Sequence, residues 1–410
     1  MIRILSCEDA RPLITRKAAR LEDAERIVAP ILADVRQRGD RALLEYAFKF
    51  DGFDAPTVRI PIVGAMEAEF ERAVTVAAGN IRAYAQTQLP REGIINHLDG
   101  RRLGQIVRPM DSMAAYVPAG RYPLPSTVLM TIIPAQVAGV ATTCVACPHP
   151  SPEILGVAAW LGVTHFFQMG GAHAIAALAY GTETVSKVDR IVGPGNRYVA
   201  AAKKLIAGEV GIDFVAGPTE LVIIAADGNP RWLAADLLAQ AEHDTDASSI
   251  LLTTSRKLAE AVAAEIEQQL ALLPTALVAL QSLASNGAIV VMDSLERAVE
   301  FSNAFAPEHL GLHAPDLLPE IRNAGSIFLG PWTPEAAGDY ASGPNHVLPT
   351  SGAARLRGGL SAADFVKVIS VQELMPEGLA TLTPAITTLA RAEGLEAHAR
   401  SVEVRSAEAS

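Results

Sequence analysis

The 410-residue sequence is short of positive charge: 34 Lys and Arg stand against 45 Asp and Glu, for a net charge of −11. That balance argues against nucleic acid and anionic membrane as main partners. Cysteine is scarce, with three in the whole chain. So small and odd a number points to a reducing compartment. The opening "MIRILSCEDARPLITRKAAR" lacks a long apolar run and meets charges early, so no signal peptide is expected and the protein is expected in the cytoplasm. One uncharged stretch, Pro123 to Cys147, is long enough to invite a membrane span. Pro123, Pro125, Pro134 and Gln136 interrupt it, so the expectation is a buried helix followed by a buried strand. Solenoid repeats are absent from the sequence, and so is the G-x-G-x-x-G of the usual dinucleotide-binding turn.

What is present is apolar: 50% of the residues are hydrophobic, enough to bury large cores in two or more domains. One plan recurs, strand then turn then helix. "THFFQMGGAHAIAALAYG" and "KVDRIVGPGNRYVAAAKKLI" follow it, as do "TELVIIAADGNPRWLAADLLAQ", "SSILLTTSRKLAEAVAAEIEQQL" and "NGAIVVMDSLERAVEFSNAFA". Such alternation means βαβ units and a parallel sheet covered on both faces. The expected fold class is α/β, with two Rossmann-like parallel-sheet domains around 116–218 and 219–360 and small helical extensions at either end. Upstream, "VAPILADVRQRGDRALLEYAFKFDG" is helical, and Gly39-Asp40 is expected to end one helix and open the next. Beyond about residue 360 the pattern is helical and too thin for a core of its own, which suits packing against another subunit.

Two glycine turns follow strands and open helices: Gly170-Gly171, and Gly193-Pro194-Gly195-Asn196. Each suits a close-approaching pyrophosphate at a helix N-terminus, and each also suits an ordinary tight βα connection. Polar residues with ligand character form four islands. The helix "PRWLAADLLAQAEHD" has Trp232, Leu233, Leu237 and Leu238 at its apolar positions, with Gln240 and His243 three apart on the inward side that the leucines occupy. "FAPEHLGL" supplies Glu308 and His309 between a helix and a short strand. "GDYASGPNHVLPTSG" supplies Asp339 and His346 in a Gly/Pro-rich loop, and "RAEGLEAHAR" supplies Glu393 and His398. His243, Asp339 and His398 make a plausible N/O ligand set for Zn²⁺, with Gln240 as a weak fourth; the absence of thiolates suits a catalytic or substrate-holding metal. Cys144-Val-Ala-Cys147 lacks a second pair and precedes "PHP", so both cysteines read as small apolar residues at a strand end.

Taken together the islands resemble histidinol dehydrogenases. The resemblance runs from "DVRQRGDRALLEYAFKFDG" through "YVPAG", "GTETVSKVDRIVGPGN", "GIDFVAGPTE" and "LLAQAEHD" to "FAPEHL", "GDYASGPNHVLPTSG" and "EGLEAH". It implies oxidation of L-histidinol to L-histidine in two NAD⁺-dependent steps through the aldehyde, with one Zn²⁺ per subunit. It implies Gln240, His243, Asp339 and His398 as zinc ligands that also face the substrate, and Glu308 with His309 as the acid–base pair. His309, Thr219 and Glu393 would touch substrate; Tyr116, His173 and Asn196 would touch NAD⁺. By the same token, 116–218 would be the NAD domain, and 18–115 with 219–360 the substrate and zinc domain. Residues 1–17 would be an extension and 361–410 a helical segment wrapping a partner in a homodimer with shared sites. Departures are His173 where the family has Gln, Thr219 where Ser is usual, Asp244 where Gly is commoner, and bulky Arg121, Tyr122 and Arg197 beside the cofactor motifs. They leave open a related zinc and NAD-dependent dehydrogenase of another small polar alcohol, such as a sulfonated diol. A metal-dependent hydrolase, with Glu308 activating a zinc-bound water, is the alternative from a different class.

Overall fold

The computed structural model describes residues 2–14, 21–97, 100–120 and 122–408. Arg121 lies outside them. The chain divides into two compact units, one of residues 1–88 and 111–365, the other of 89–110 and 366–410. Among the described residues no helix is long and apolar enough to cross a membrane.

The larger unit holds two six-stranded sheets. The first is wholly parallel and built on Glu220–Ile224, Ser248–Thr253, Ala288–Val291, His309–Leu312 and Ser326–Leu329, with Arg3–Ser6 joining beside Ala288–Val291. The second is built on Ser112–Tyr116, Thr142–Ala146, His165–Phe167, Arg190–Val192 and Gly211–Ile212, with Arg59–Ile60 antiparallel at one edge. Numbered along the chain, the five main strands of each sheet lie in the order third, second, first, fourth, fifth. Helices therefore leave the first and fourth strands toward opposite faces, and the crevice at the carboxyl ends of those strands is where such sheets commonly take ligands. The central strands are buried on both sides, which accounts for runs such as "ELVII".

The uncharged stretch folds as expected, into helix Pro125–Ala138 and strand Thr142–Ala146. Pro125 opens the helix, where no N–H is needed, and Gly139 closes it in the left-handed conformation. Its run from Ser126 to Ala135 is buried throughout. Pro134 inside the helix has no N–H for the Met130 carbonyl, and Asn345 Nδ2 donates to that oxygen instead at 2.6 Å. Gly39, with φ 57°, joins helices Glu22–Arg38 and Asp40–Asp51.

The structure redraws the expected boundaries. Helix Glu22–Arg38 packs on helices Gly171–Tyr180 and Arg197–Ile206 over the second sheet, and Asp40–Asp51 packs on the first of these, so Val28, Val35, Leu43 and Ala47 share one apolar cluster with Ala114, Ala146 and Phe167 of the sheet. Helix Ala68–Thr87 packs on helix Pro125–Ala138, which lies over the same sheet, and its Val74 and Ile81 share one apolar cluster with Ile133, Met113 and Val145. An amphipathic helix specifies that it buries a face, not which sheet receives it. Residues 1–17 are more than an extension, since Arg3–Ser6 is a strand of the first sheet. The C-terminal piece is not purely helical either. Val366–Leu374 pairs antiparallel with Arg101–Pro109, which pairs with Gly93–Asn96, before helices Pro376–Ala392 and Glu396–Glu408. This smaller unit exposes Ile95, Val368, Leu389 and Val404.

Candidate active site

The chemistry of the first sheet gathers at the amino ends of its first and fourth strands. Glu220 and His309 begin these two paired strands, with Thr219 and Glu308 just before them. The Glu308 carboxylate accepts hydrogen bonds from the Thr219 hydroxyl and, at 2.9 Å, from the Glu220 N–H. His309 Nδ1 lies 3.2 Å from the Glu220 carbonyl, which can only accept, so Nδ1 carries a proton. Nε2 therefore faces Asp339, 3.5 Å from its Oδ1, and it is buried without a hydrogen-bond partner.

Two neighbouring elements complete the cluster. Helix Pro230–Ala241 buries Leu233, Leu237 and Leu238, and brings Gln240, fully buried, to within 2.7 Å of Thr219 Oγ1. His243 is not on this helix, contrary to the sequence expectation. The helix ends at Ala241, and the following turn carries the imidazole to within 3.8 Å of Asp339 Oδ2. Unlike the leucines, Trp232 is turned outward against Trp332, ring centroids 4.8 Å apart. Asp339 lies in a short helix, Glu335–Tyr340, rather than a loop. Glu335 stands one turn before it on the same face and is buried beside Gln240. His346 Nδ1 donates to the Asp339 carbonyl at 2.8 Å, and its Nε2 lies 3.5 Å from Thr127 Oγ1 on helix Pro125–Ala138.

Burial and charge tune these groups against each other. Burial pushes the Glu308 carboxyl up to about 7, even though His309 and the Thr219 hydroxyl favour its ionised form. Burial alone would neutralise His309, but Glu308, Glu335 and Asp339 outweigh it and raise the imidazole to about 10. Glu335 is pushed well above the usual carboxylate range by burial, with Asp339 and Glu308 adding to the effect. Asp339 goes the other way: burial is overcome by the His309, His346 and His243 imidazoles. A knot of carboxylates and imidazoles this deep needs a compensating cation or shared protons. His243, Glu335 and Asp339 each bring one ligand atom within 4.8 Å of the others, a nitrogen-and-oxygen donor set of the kind Zn²⁺ takes.

The second sheet offers its carboxyl edge. Tyr116 ends the first strand, and Gly193 follows the fourth. Gly193 has φ 109°, and a Cβ on it would fall 2.2 Å from the Tyr116 carbonyl oxygen, so only glycine fits. Asn196 caps helix Arg197–Ile206, its oxygen accepting from the Tyr198 and Val199 N–H groups at 3.0 and 3.1 Å. Tyr116 is buried, and its hydroxyl accepts the Gly171 N–H at 3.1 Å.

His173 turns inward. It is buried with Nε2 2.9 Å from Asp51 Oδ2, the same oxygen that accepts the Gly170 N–H, and Tyr46 and Phe50 pack around the ring. Arg197 lies along its own helix start, its guanidinium 5.0 Å from the Tyr198 ring centre. Cys144 and Cys147 are free and buried, Cys144 in the middle of strand Thr142–Ala146 rather than at its end and Cys147 just beyond it, and burial pushes both thiols up to about 12.

Of the predicted residues, Thr219, Gln240, His243, Glu308, His309 and Asp339 come together at one sheet edge. Tyr116, His173 and Asn196 belong to the carboxyl edge of the other sheet. Glu393 and His398 lie exposed in the smaller unit, at the end of helix Pro376–Ala392 and the start of Glu396–Glu408. Glu335 and Asp51 escaped the sequence reading. Glu335 had a signal, its four-residue spacing to Asp339 in "EAAGD".

A family model, curated relatives and a solved structure agree on one family. The family model for histidinol dehydrogenase matches residues 14–406. Histidinol dehydrogenase of Geobacter metallireducens is 47% identical over 400 residues, covering 93% of this chain and 92% of that one. That of Syntrophotalea carbinolica is 45% identical over 427 residues, covering 99% of each. The crystal structure of histidinol dehydrogenase from Elizabethkingia anophelis superposes with a TM-score of 0.94 at 38% identity, over 98% of both chains. Matched along almost its whole length in sequence and in backbone, the chain belongs to the histidinol dehydrogenase family.

Proposed function

We propose that histidinol oxidation, the activity of this family, is carried here by Glu308 and His309 as the acid–base pair at the amino edge of the first sheet. The observation that carries the assignment is the buried Nε2 of His309, without a hydrogen-bond partner and aimed at Asp339. In its neutral form this nitrogen takes the carbinol proton, while the Glu220 carbonyl holds the opposite side of the ring. Glu308, brought to about 7 and anchored by Thr219 and the Glu220 N–H, is suited to accept a proton from water in the second, aldehyde-oxidising step. Gln240, His243 and Asp339 would hold Zn²⁺ with His398, and Glu335 lies within reach of the same position. When bound, the metal supplies positive charge that favours neutral His309 and orients the substrate, and NAD⁺ supplies the hydride acceptor.

Glu393 and His398 would come from the partner of a homodimer, a reading supported by the exposed apolar residues of the smaller unit. The cofactor would lie along the carboxyl edge of the second sheet, at Tyr116 and Asn196. His173 would act there indirectly, by holding the Asp51 carboxylate that receives the Gly170 N–H. Membership of an oxidoreductase family removes the hydrolase alternative. The stacking of Arg197 on Tyr198 weakens the case for a differently charged substrate pocket. The test is zinc analysis combined with turnover: zinc-loaded protein should form NADH from L-histidinol, and chelation should abolish it. Full activity in metal-free protein would refute the ligand assignment.

A further inference from the structure

Behind the Gly193–Asn196 turn lies a charge pair that the chemistry above does not use. Lys203 and Asp213 are both buried and in direct contact. Their hydrogen bonds converge on one backbone residue. Lys203 Nζ donates to the Gly193 carbonyl at 3.1 Å, and Asp213 Oδ2 accepts the Gly193 N–H at 2.8 Å. The other carboxylate oxygen takes the Phe214 N–H at 2.7 Å together with the Lys203 ammonium. Burying two charges is expensive, and apolar side chains would fill the same volume at least as stably. The pair does what they could not: it grips both polar groups of a glycine at positive φ, pressed against the Tyr116 carbonyl.

The same pair links three elements. Lys203 is on helix Arg197–Ile206, whose first turn Asn196 caps, and Asp213 directly follows strand Gly211–Ile212. Arg357 donates to the Asp213 carbonyl at 2.8 Å and binds Asp364 at 2.7 Å, so Asp213 is itself braced from the far side. We propose that Lys203 and Asp213 are positioning residues for the dinucleotide: they hold the Gly193–Asn196 turn and the helix behind it as one preformed cradle. The proposal rests on the reading that this turn receives NAD⁺. A preformed cradle binds without first ordering the loop, so loosening it should weaken cofactor binding more than it slows the chemistry.

The experiment uses the full-length, zinc-loaded protein and three variants: Lys203→Met, Lys203→Met/Asp213→Asn, and Asn196→Ala. NADH binding is titrated by nucleotide fluorescence, KM for NAD⁺ and kcat are measured separately, and thermal midpoints are recorded. In both Lys203 variants the NADH Kd and the KM for NAD⁺ should rise by about tenfold or more, with kcat at saturating NAD⁺ changing far less. The double variant leaves no orphaned buried charge, so it supplies the same readout if the single variant does not fold. Lower thermal midpoints with an NADH Kd within about twofold of the parent, while Asn196→Ala weakens binding, would overturn the proposal and leave the pair a structural brace. NADH binding unchanged in Asn196→Ala as well would instead overturn the reading of the turn as the cofactor site.

Discussion

Replacing Asp236 by Asn isolates one electrostatic cost carried by the helix that leads to Gln240. Asp236 is half-buried on helix Pro230–Ala241, and burial alone pushes its carboxyl from 3.8 up to about 6. Two pKa units at about 1.4 kcal/mol each make roughly 3 kcal/mol for keeping it ionised in the folded protein, and its partial exposure trims that to about 1–3 kcal/mol. The folded-state pKa is raised, so the group's contribution to stability is fully present below pH 3.8 and is lost as the pH rises through about 6. Asn has the same shape and never ionises. In urea denaturation followed by circular dichroism, parent and Asp236→Asn should differ little at pH 4. At pH 8 the variant should be the more stable by about 1–3 kcal/mol. An equal difference at both pH values, or a variant less stable at pH 8, would refute the reasoning. The first result would mean that folding leaves the carboxyl pKa unshifted, the second that a partner holds the ionised carboxylate.

His309→Asn should lower kcat by about 10²- to 10⁴-fold with zinc content near the parent's by atomic emission, whereas His243→Asn should lose the metal. Both variants retaining metal and activity would undo the site assignment. Cys144→Ala/Cys147→Ala should retain full turnover, and in the folded parent a thiol reagent at pH 8 should titrate Cys7 at most, since the two buried thiols sit near 12. Rapid reaction of all three thiols would contradict that. Gly193→Ala brings a Cβ to 2.2 Å from the Tyr116 oxygen at φ 109°, so it should cost about 3 kcal/mol or more in stability and weaken NADH binding. A variant matching the parent in thermal midpoint and NADH titration would show that the turn is not locked as described.

The parts of the fold legible in the sequence are those written in local chemistry. Pro125 and Gly139 bracket a helix, Asn196 caps another, and continuous apolar runs mark central strands. The pairing of Val366–Leu374 with Arg101–Pro109 was not legible, because its partner lies more than 250 residues upstream and neither strand alternates cleanly between apolar and polar. The docking of residues 22–87 on the second sheet was missed for a related reason: their apolar stripes would fit either sheet. At the candidate site, Glu308, His309 and Asp339 stood out as polar residues in apolar or Gly-rich surroundings. Glu335, Asp51, Lys203 and Asp213 did not, since a charged residue in a helix or loop normally faces water. Only the folded arrangement reveals that Glu335, Lys203 and Asp213 are buried and that Asp51 is turned inward onto His173. His243 follows no helical face, since the helix stops two residues short of it and the side chain is exposed.

Pro134 has a consequence for anyone who would stabilise this protein. By helix propensity alone, Pro134→Ala is an attractive change in a buried helix, restoring an internal hydrogen bond and relieving a steric clash. That bond would go to the Met130 carbonyl, which already accepts from Asn345, in the loop that carries His346 just beyond Asp339. A carbonyl oxygen has two lone pairs and can take both donors, provided the Asn345 amide shifts to leave room for the N–H. Any stabilising change at Pro134 therefore reaches, through one oxygen, the loop that supplies His346.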